Sequence, residues 1–269
     1  HIHKQGQDTP VVANIQKPEA IYNLNAILKA ADGIMVARGD LGVEMRPEKV
    51  PTIQKTIIKA AILANKPVIT ATQMLETMAV NPIPTRAEAS DVANAIYDGT
   101  DAIMLSAETA TGKYPVETVG MMARIAARTE RSVFMKYNLE HNCIPDDPVA
   151  HAVARSAVKI LHELSAKGIL AFSVSGSTAR LISKNRPSER VFAFSPRMST
   201  CNQLTLVWGI TPLYLPNIKV AKQLIEASVR ILIHKKLTKA DDLIVIVIGL
   251  GFKKGSTNVI KIHRIGRDD

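Results

Sequence analysis

Residues 31–44 read ADGIMVARGDLGVE, and a short apolar run from Ile34 to Val36 ends abruptly in Arg38-Gly39-Asp40. A buried strand followed at once by Gly and a carboxylate is how parallel α/β folds place chemistry at the C-terminal ends of strands. Gly39 lets a backbone approach a ligand closely, and Asp40 offers a hard oxygen suited to magnesium. Taken alone, the segment reads better as a plain strand-to-loop transition with a solvated Asp. Two more segments weigh against that: KPVITATQMLETM, from Lys66 to Met78, and PTRAEASDVANAIYDGTDAIMLSAETATGKYP, from Pro84 to Pro115. Thr72 closes a strand inside the first of them, at the end that carries chemistry in barrel folds, although a strand Thr can also bond only to local backbone.

A different chemistry is written at Ser173-Val174-Ser175-Gly176-Ser177-Thr178, after an apolar strand and before a helix starting near Thr178. Hydroxyls, a flexible Gly and free amides at a helix start make an anion cradle. An ordinary helix N-cap uses the same residue types. Between the last two strands, the loop Gly249–Asn258 carries Lys253 and Lys254, which could reach a phosphate as point charges without the bidentate geometry of Arg.

The elements that must hold these residues alternate strand and helix. Apolar runs near 10–15, 33–37, 67–72 and 102–106 are each followed by a helical pattern. Lys17-Pro18-Glu19 starts one helix, with Ile21, Leu24 and Leu28 as its stripe. Val50, Ile53, Ile57, Ala61 and Ala64 form one buried face of another, stopped by Pro67. Four βα units in a row predict a parallel sheet with right-handed crossovers. Periodicity lapses over 131–147, which marks a boundary. Beyond it come a helix near 148–165 and strand candidates at 169–174, 191–194, 211–215, 242–248 and 259–264, an α/β domain with one open sheet.

The 269 residues give room for one large or two medium domains, and 46% hydrophobic residues suit a soluble core. No run of 18 apolar residues and no signal-peptide pattern appears, so the expectation is a soluble, cytoplasmic protein without a membrane partner. Cys143 and Cys201 are too few for a disulfide framework or a zinc site. Residues 1–145 hold 15 basic and 15 acidic side chains, whereas residues 146–269 hold 19 and 9, so the net charge of +10 lies wholly in the second part. Aromatic interleaving is lacking there and no DNA-reading motif occurs, so small phosphorylated ligands explain the bias at least as well as nucleic acid, and a solvated Lys-rich helix surface is the default for most of these charges.

The segments 31–44, 66–78 and 84–115, in this order and spacing, resemble pyruvate kinase, especially its bacterial forms. The likeness covers most of residues 10–130 and continues more weakly through 145–269. It implies phosphoryl transfer from phosphoenolpyruvate to ADP, assisted by magnesium and usually potassium, in an oligomeric enzyme. The fold it implies is α/β: residues 1–140 as a partial (β/α)8 barrel holding the last four βα units, then residues 146–269 as a smaller α/β open-sheet, effector-binding domain. A complete barrel needs roughly 250 residues, and the first half, with the potassium ligands, a phosphate-gripping Arg and a lid domain, has no counterpart here. The expectation is therefore a fragment, a chain that pairs with a missing half-barrel partner, or a relic.

The resemblance also assigns residues. The amides of Gly39 and Asp40 and the Thr72 hydroxyl would hold the substrate carboxylate. Arg38, Arg86 and Glu88 would be structural or subunit-contact residues, Ser106 and Glu108 would organise the last strand and its loop, and Met74, Met78, Met121 and Met122 would pack. Residues Ser173, Ser175, Gly176, Ser177 and Thr178 would hold the phosphate of a sugar-phosphate effector, with Lys253 and Lys254 on the loop that folds over it. One stretch departs from the pattern. Where the family has a Lys and, two residues on, a Glu, this chain reads Ala13-Asn14-Ile15-Gln16. In the family that Lys stabilises charge on the transferring phosphoryl group, and that Glu ligates magnesium beside the Asp matched by Asp40. Asn14 cannot supply a positive charge, and losing such a group costs about two to three orders of magnitude in rate. Gln16 keeps an oxygen without its negative charge, which weakens magnesium binding. The chain alone is expected to be inactive, and the rival expectation is a non-catalytic sugar-phosphate-binding regulatory or relic subunit.

Overall fold

The computed structural model describes residues 9–132, 147–216, 218, 220–249 and 257–266. The chain divides into two compact units, His1–His141 and Asn142–Asp269. The loop lysines Lys253 and Lys254 lie outside the described residues.

In the first unit the order is β1 (Val12–Ile15), α1 (Pro18–Tyr22), α2 (Leu24–Ala30), β2 (Gly33–Ala37), α3 (Arg38–Glu44), α4 (Val50–Leu63), β3 (Val68–Ala71), α5 (Arg86–Tyr97), β4 (Ala102–Met104), α6 (Ala107–Ala110) and α7 (Pro115–Glu130), with short 3-10 turns at Pro47–Lys49 and Glu76–Ala79. The strands form a parallel sheet in the order β1-β2-β3-β4. It is not closed into a barrel. One face of the sheet is buried: Ile15, Val36 and Thr70 lie side by side in register and are solvent-free or nearly so. Ile15, Ile34, Val36 and Val68 pack there against Leu24 and Leu28 of α2 and Ile57, Ile58, Ala61 and Ile62 of α4. The alternate row, Asn14, Met35, Ile69 and Ala102, is half-buried to exposed. Strand side chains alternate between faces, so Asn14 and the residue two further on share the open face.

Two helices differ from the sequence expectation. The helix from Pro18 breaks at Asn23, whose side chain donates to the Glu19 carbonyl at 2.9 Å. This local bond competes with the helical ladder, and the apolar stripe survives on either side. The buried face of α4 runs through Gln54, Ile57, Ile58, Ala61 and Ile62; Ala64 is exposed. That helix ends at Leu63, before Pro67, because Asn65 takes a left-handed φ of 55° and the Lys66 amide returns to the Ala61 carbonyl.

The second unit contains α8 (Pro148–Glu163), β5 (Ile169–Phe172), α9 (Ser177–Ser183), β6 (Val191–Ser195), α10 (Met198–Leu204), β7 (Ile210–Tyr214), α11 (Ala221–His234), β8 (Leu243–Gly249) and β9 (Thr257–Arg264). The sheet order is β7-β6-β5-β8-β9, parallel except for β9, which runs antiparallel to β8. Both faces are covered. Ile169, Ala171, Val191, Ala193, Val245 and Val247 pack with Ala150, Ala154, Ala157 and Leu161 of α8 and Ala179 and Ile182 of α9. Leu170, Phe192, Phe194, Ile244 and Ile246 pack on the other side with Leu224 and Leu232 of α11. Strand order reverses between β5 and β8, the topological switch point where open α/β sheets bind ligands at the carboxyl ends of strands.

Candidate active site

The C-terminal ends of β2 and β3 meet around one buried arginine. Arg38 opens α3 and is 6% exposed. Its Nη2 donates to the carbonyls of Thr72 at 2.6 Å and Gln73 at 2.7 Å, and Nε donates to Thr72 again at 3.1 Å. Nη1 is paired with the Asp91 carboxylate on α5. The reason for so many bonds is the backbone it holds: Thr72 and Gln73 both have positive φ, 67° and 52°. A β-branched residue rarely adopts that conformation, and such strain persists only where surrounding structure over-determines it.

The turn presents Thr72 to α3. The Gly39 amide donates to Thr72 Oγ1 at 2.7 Å, while the Thr72 hydroxyl donates to the Ala71 carbonyl at 2.6 Å. A Cβ on Gly39 would make ordinary contact with this turn, 3.4 Å from Thr72 Oγ1. Asp40 follows on the first turn of α3 and is exposed. Gly39, Asp40 and Thr72 are thus brought to one strand-end region, with the amide and hydroxyl donors of Gly39 and Thr72 paired to protein oxygens. An incoming carboxylate must replace these two bonds in order to take both donors.

Glu108 and Glu88 hold the neighbouring loops. Glu108, at the start of α6 and 3% exposed, accepts from the Ser106 amide at 2.7 Å and from the Leu75 amide at 3.4 Å, tying the loop after β4 to the loop after β3. Glu88 completes a capping box with Thr85 at the start of α5 and also accepts from the backbone and side chain of Thr77. Burial opposes ionisation of Glu88, but the bonds from Thr77 and Thr85 outweigh it and hold its carboxyl below the ordinary range. Arg86 is exposed on α5. Met74, Met78 and Met122 are buried, with Met121 packed beside them, in a cluster with Leu75, Val92 and Ile96. They are packing residues.

The end of β1 is built differently. Asn14 Nδ2 donates to Gln16 Oε1 at 2.6 Å, on the open face of the sheet. The two positions that depart from the family pattern therefore satisfy each other. As a test of fit for magnesium, the set is poor: Gln16 offers a neutral oxygen already engaged by an amide, and Asp40 is the one carboxylate of the implied pair. Among the described residues no group of three or more His, Cys, Asp and Glu is gathered as metal ligands would be.

In the second unit the 173–178 segment runs from the end of β5 into the first turn of α9, beside the switch point. Gly176 is the N-cap of α9 in a left-handed conformation, φ 78°, and no hydroxyl caps that helix. The side chains of Ser175 and Ser177 bond each other at 3.3 Å, and Arg180 Nη2 donates to the Ser175 carbonyl at 3.2 Å. Two groups face inward instead. The Ser173 amide bonds the Phe194 carbonyl at 3.0 Å, and the buried Thr178 hydroxyl bonds that of Thr257 at 2.6 Å, tying the loop to the first residue of β9.

Sequence reasoning missed Asp91 as the partner of Arg38. The signal available was an acid on α5, within the 84–115 segment, on a chain whose Arg38 follows a buried strand directly. It also missed the Thr178–Thr257 contact, for which the letters carry no signal across 79 positions.

Comparison with known proteins bears on the family. Residues 1–119 match the family model of the pyruvate kinase barrel domain, and residues 151–263 match that of the pyruvate kinase alpha/beta domain. A pyruvate kinase of Agrobacterium vitis is 46% identical over 259 residues, covering 95% of this chain and 54% of the relative. One from Geobacillus stearothermophilus is 44% identical over 261 residues, covering 95% and 44%. The crystal structure of a pyruvate kinase from Cryptosporidium parvum superposes with a TM-score of 0.87 at 37% identity, covering 96% of this chain and 52% of that one. The chain spans about half the length of the relatives it matches. On its two family models and on these relatives, the chain belongs to the pyruvate kinase family.

Proposed function

We propose that this chain is the last four βα units of a pyruvate kinase barrel joined to the effector domain, and that by itself it binds ligands of the reaction without turning them over. An unclosed four-stranded parallel sheet, the barrel-domain match and the half-length coverage support the first part. The observation that carries the second is the Asn14–Gln16 bond, since the strand end that would meet the transferring phosphoryl group is neutral and self-satisfied. Gly39, Asp40 and Thr72 are the residues to hold the carboxylate of phosphoenolpyruvate. Arg38 keeps the Thr72 turn in place through two carbonyls. Phosphoryl transfer to ADP needs the other half of a barrel, supplied by a partner or a longer polypeptide, and that half is where potassium would be held. The residues present do not fit a magnesium ion, since Asp40 is the one carboxylate left of the pair that the family implies.

The 173–178 segment favours a second role for the same chain, as a cytoplasmic subunit that binds a sugar phosphate. Its hydroxyls and left-handed Gly176 stand at the switch point of a basic domain. The deciding experiment is pyruvate formation by the purified chain from phosphoenolpyruvate and ADP with magnesium and potassium. No enzyme-dependent pyruvate is expected from folded protein, and steady turnover would overturn the reading. Sugar-phosphate titration of the same sample, followed by melting temperature, then tests the second role.

A further inference from the structure

We propose that the end of β1 has exchanged a divalent-cation position for a closed amide pair, so that the native chain holds neither magnesium nor manganese there, and that the single change Gln16→Glu reverses this. The inference rests on the family reading of β1 given above. Asn14 and Gln16 lie two residues apart in extended chain, so their side chains share a face, and one amide donates to the other at 2.6 Å. A hard divalent cation trades its waters for oxygens only where negative charge compensates. Here the Gln16 oxygen is neutral and already accepts a bond.

The neighbouring strand does not supply the missing charge. Across the sheet, the register partners of Asn14 and Ile15 are Met35 and Val36, both apolar. The next residue along the chain, Lys17, is exposed and basic, which further disfavours a cation.

Manganese is the probe, read by electron paramagnetic resonance of the free ion and by line broadening of assigned backbone amides. Four forms of the full chain are compared: native, N14K, Q16E and the N14K/Q16E double variant, each confirmed folded by circular dichroism. The expected result is no local broadening at Gln16 and Asp40 in the native chain and in N14K up to millimolar manganese. Q16E should bind at least about tenfold more tightly, with broadening at Gln16 and Asp40, because a carboxylate replaces an amide oxygen. Saturable broadening at those amides in the native chain would overturn the proposal. So would a folded Q16E that gains nothing over native. The readout contains no turnover, so a cation-binding but inactive native chain would sink this inference and leave the proposed function standing, while an active chain that needs no manganese at β1 would do the reverse.

Discussion

The ends of β2 and β3 differ from the end of β1 in how many jobs their side chains hold. At β2 and β3, Arg38 is buried and bonded to two carbonyls and a carboxylate, and the turn it clamps carries left-handed residues. At β1, Asn14 and Gln16 sit on the open face and are held by one bond to each other. A residue that builds the fold as well as the site is kept by stability alone, whatever happens to activity. A residue that serves only chemistry can drift once the chemistry is not required. The buried turn around Arg38 and the open end of β1 are thus under different constraints within one small sheet.

Arg38→Ala tests the first side of this comparison and should have the largest effect. It frees the Thr72 and Gln73 carbonyls, and each acceptor left unsatisfied costs about 1–3 kcal/mol, whereas the ion pair adds less because the Asp91 side chain is 39% exposed. Urea unfolding should record a lower midpoint; a native-like midpoint would mean the clamp is not structural and the contrast fails. Glu108→Ala comes next. Its side chain is buried and accepts two amides, so their desolvation without a partner should cost about 2 kcal/mol. Loss of the tie between the loops after β3 and β4 would also speed hydrogen exchange at Leu75 and Ser106.

Most of the frame was legible in the sequence. All nine strands follow apolar runs of strand length, and residues 31–44 and 66–78 point directly at Gly39, Asp40 and Thr72. What was not legible turns on contacts between distant residues or on single side-chain bonds. The Asn23 break needs only one hydrogen bond to Glu19, and the stripe of Leu24 and Leu28 continues through it. The antiparallel course of β9 was open to inference: β8 ends at Gly249 and β9 begins at Thr257, too short a link for a parallel crossover of roughly a dozen residues. The mutual bond of Asn14 and Gln16 depends on rotamers, which spacing alone does not fix.

Glu88 sharpens the comparison through pH. Its folded carboxyl is held below the ordinary range by bonds from Thr77 and Thr85, against the opposing effect of burial. A depressed folded value stabilises the protein above the unfolded pKa, and that contribution is lost as pH falls through the folded one. At neutral pH, Glu88→Ala should cost about 1 kcal/mol through the lost capping box. Below the ordinary Glu range the gap between native and variant should narrow steadily. A gap that stays constant from neutral to acid pH would show that Glu88 acts by packing and not by its charge.

The smallest effect belongs to β1, and its smallness is the point. Replacing Asn14 and Gln16 together by Ala removes one exposed bond and no buried group. Such surface changes usually stay within about 0.5 kcal/mol, so urea unfolding of the double variant should overlay that of the native chain. The single changes inform differently. Gln16→Ala frees the Asn14 amide to water, where it is satisfied at no cost, so it too should be neutral. If the double variant were instead as damaging as Arg38→Ala, the β1 end would be part of the frame. Its two amides would then be retained for folding, and their departure from the family pattern would carry no message about chemistry.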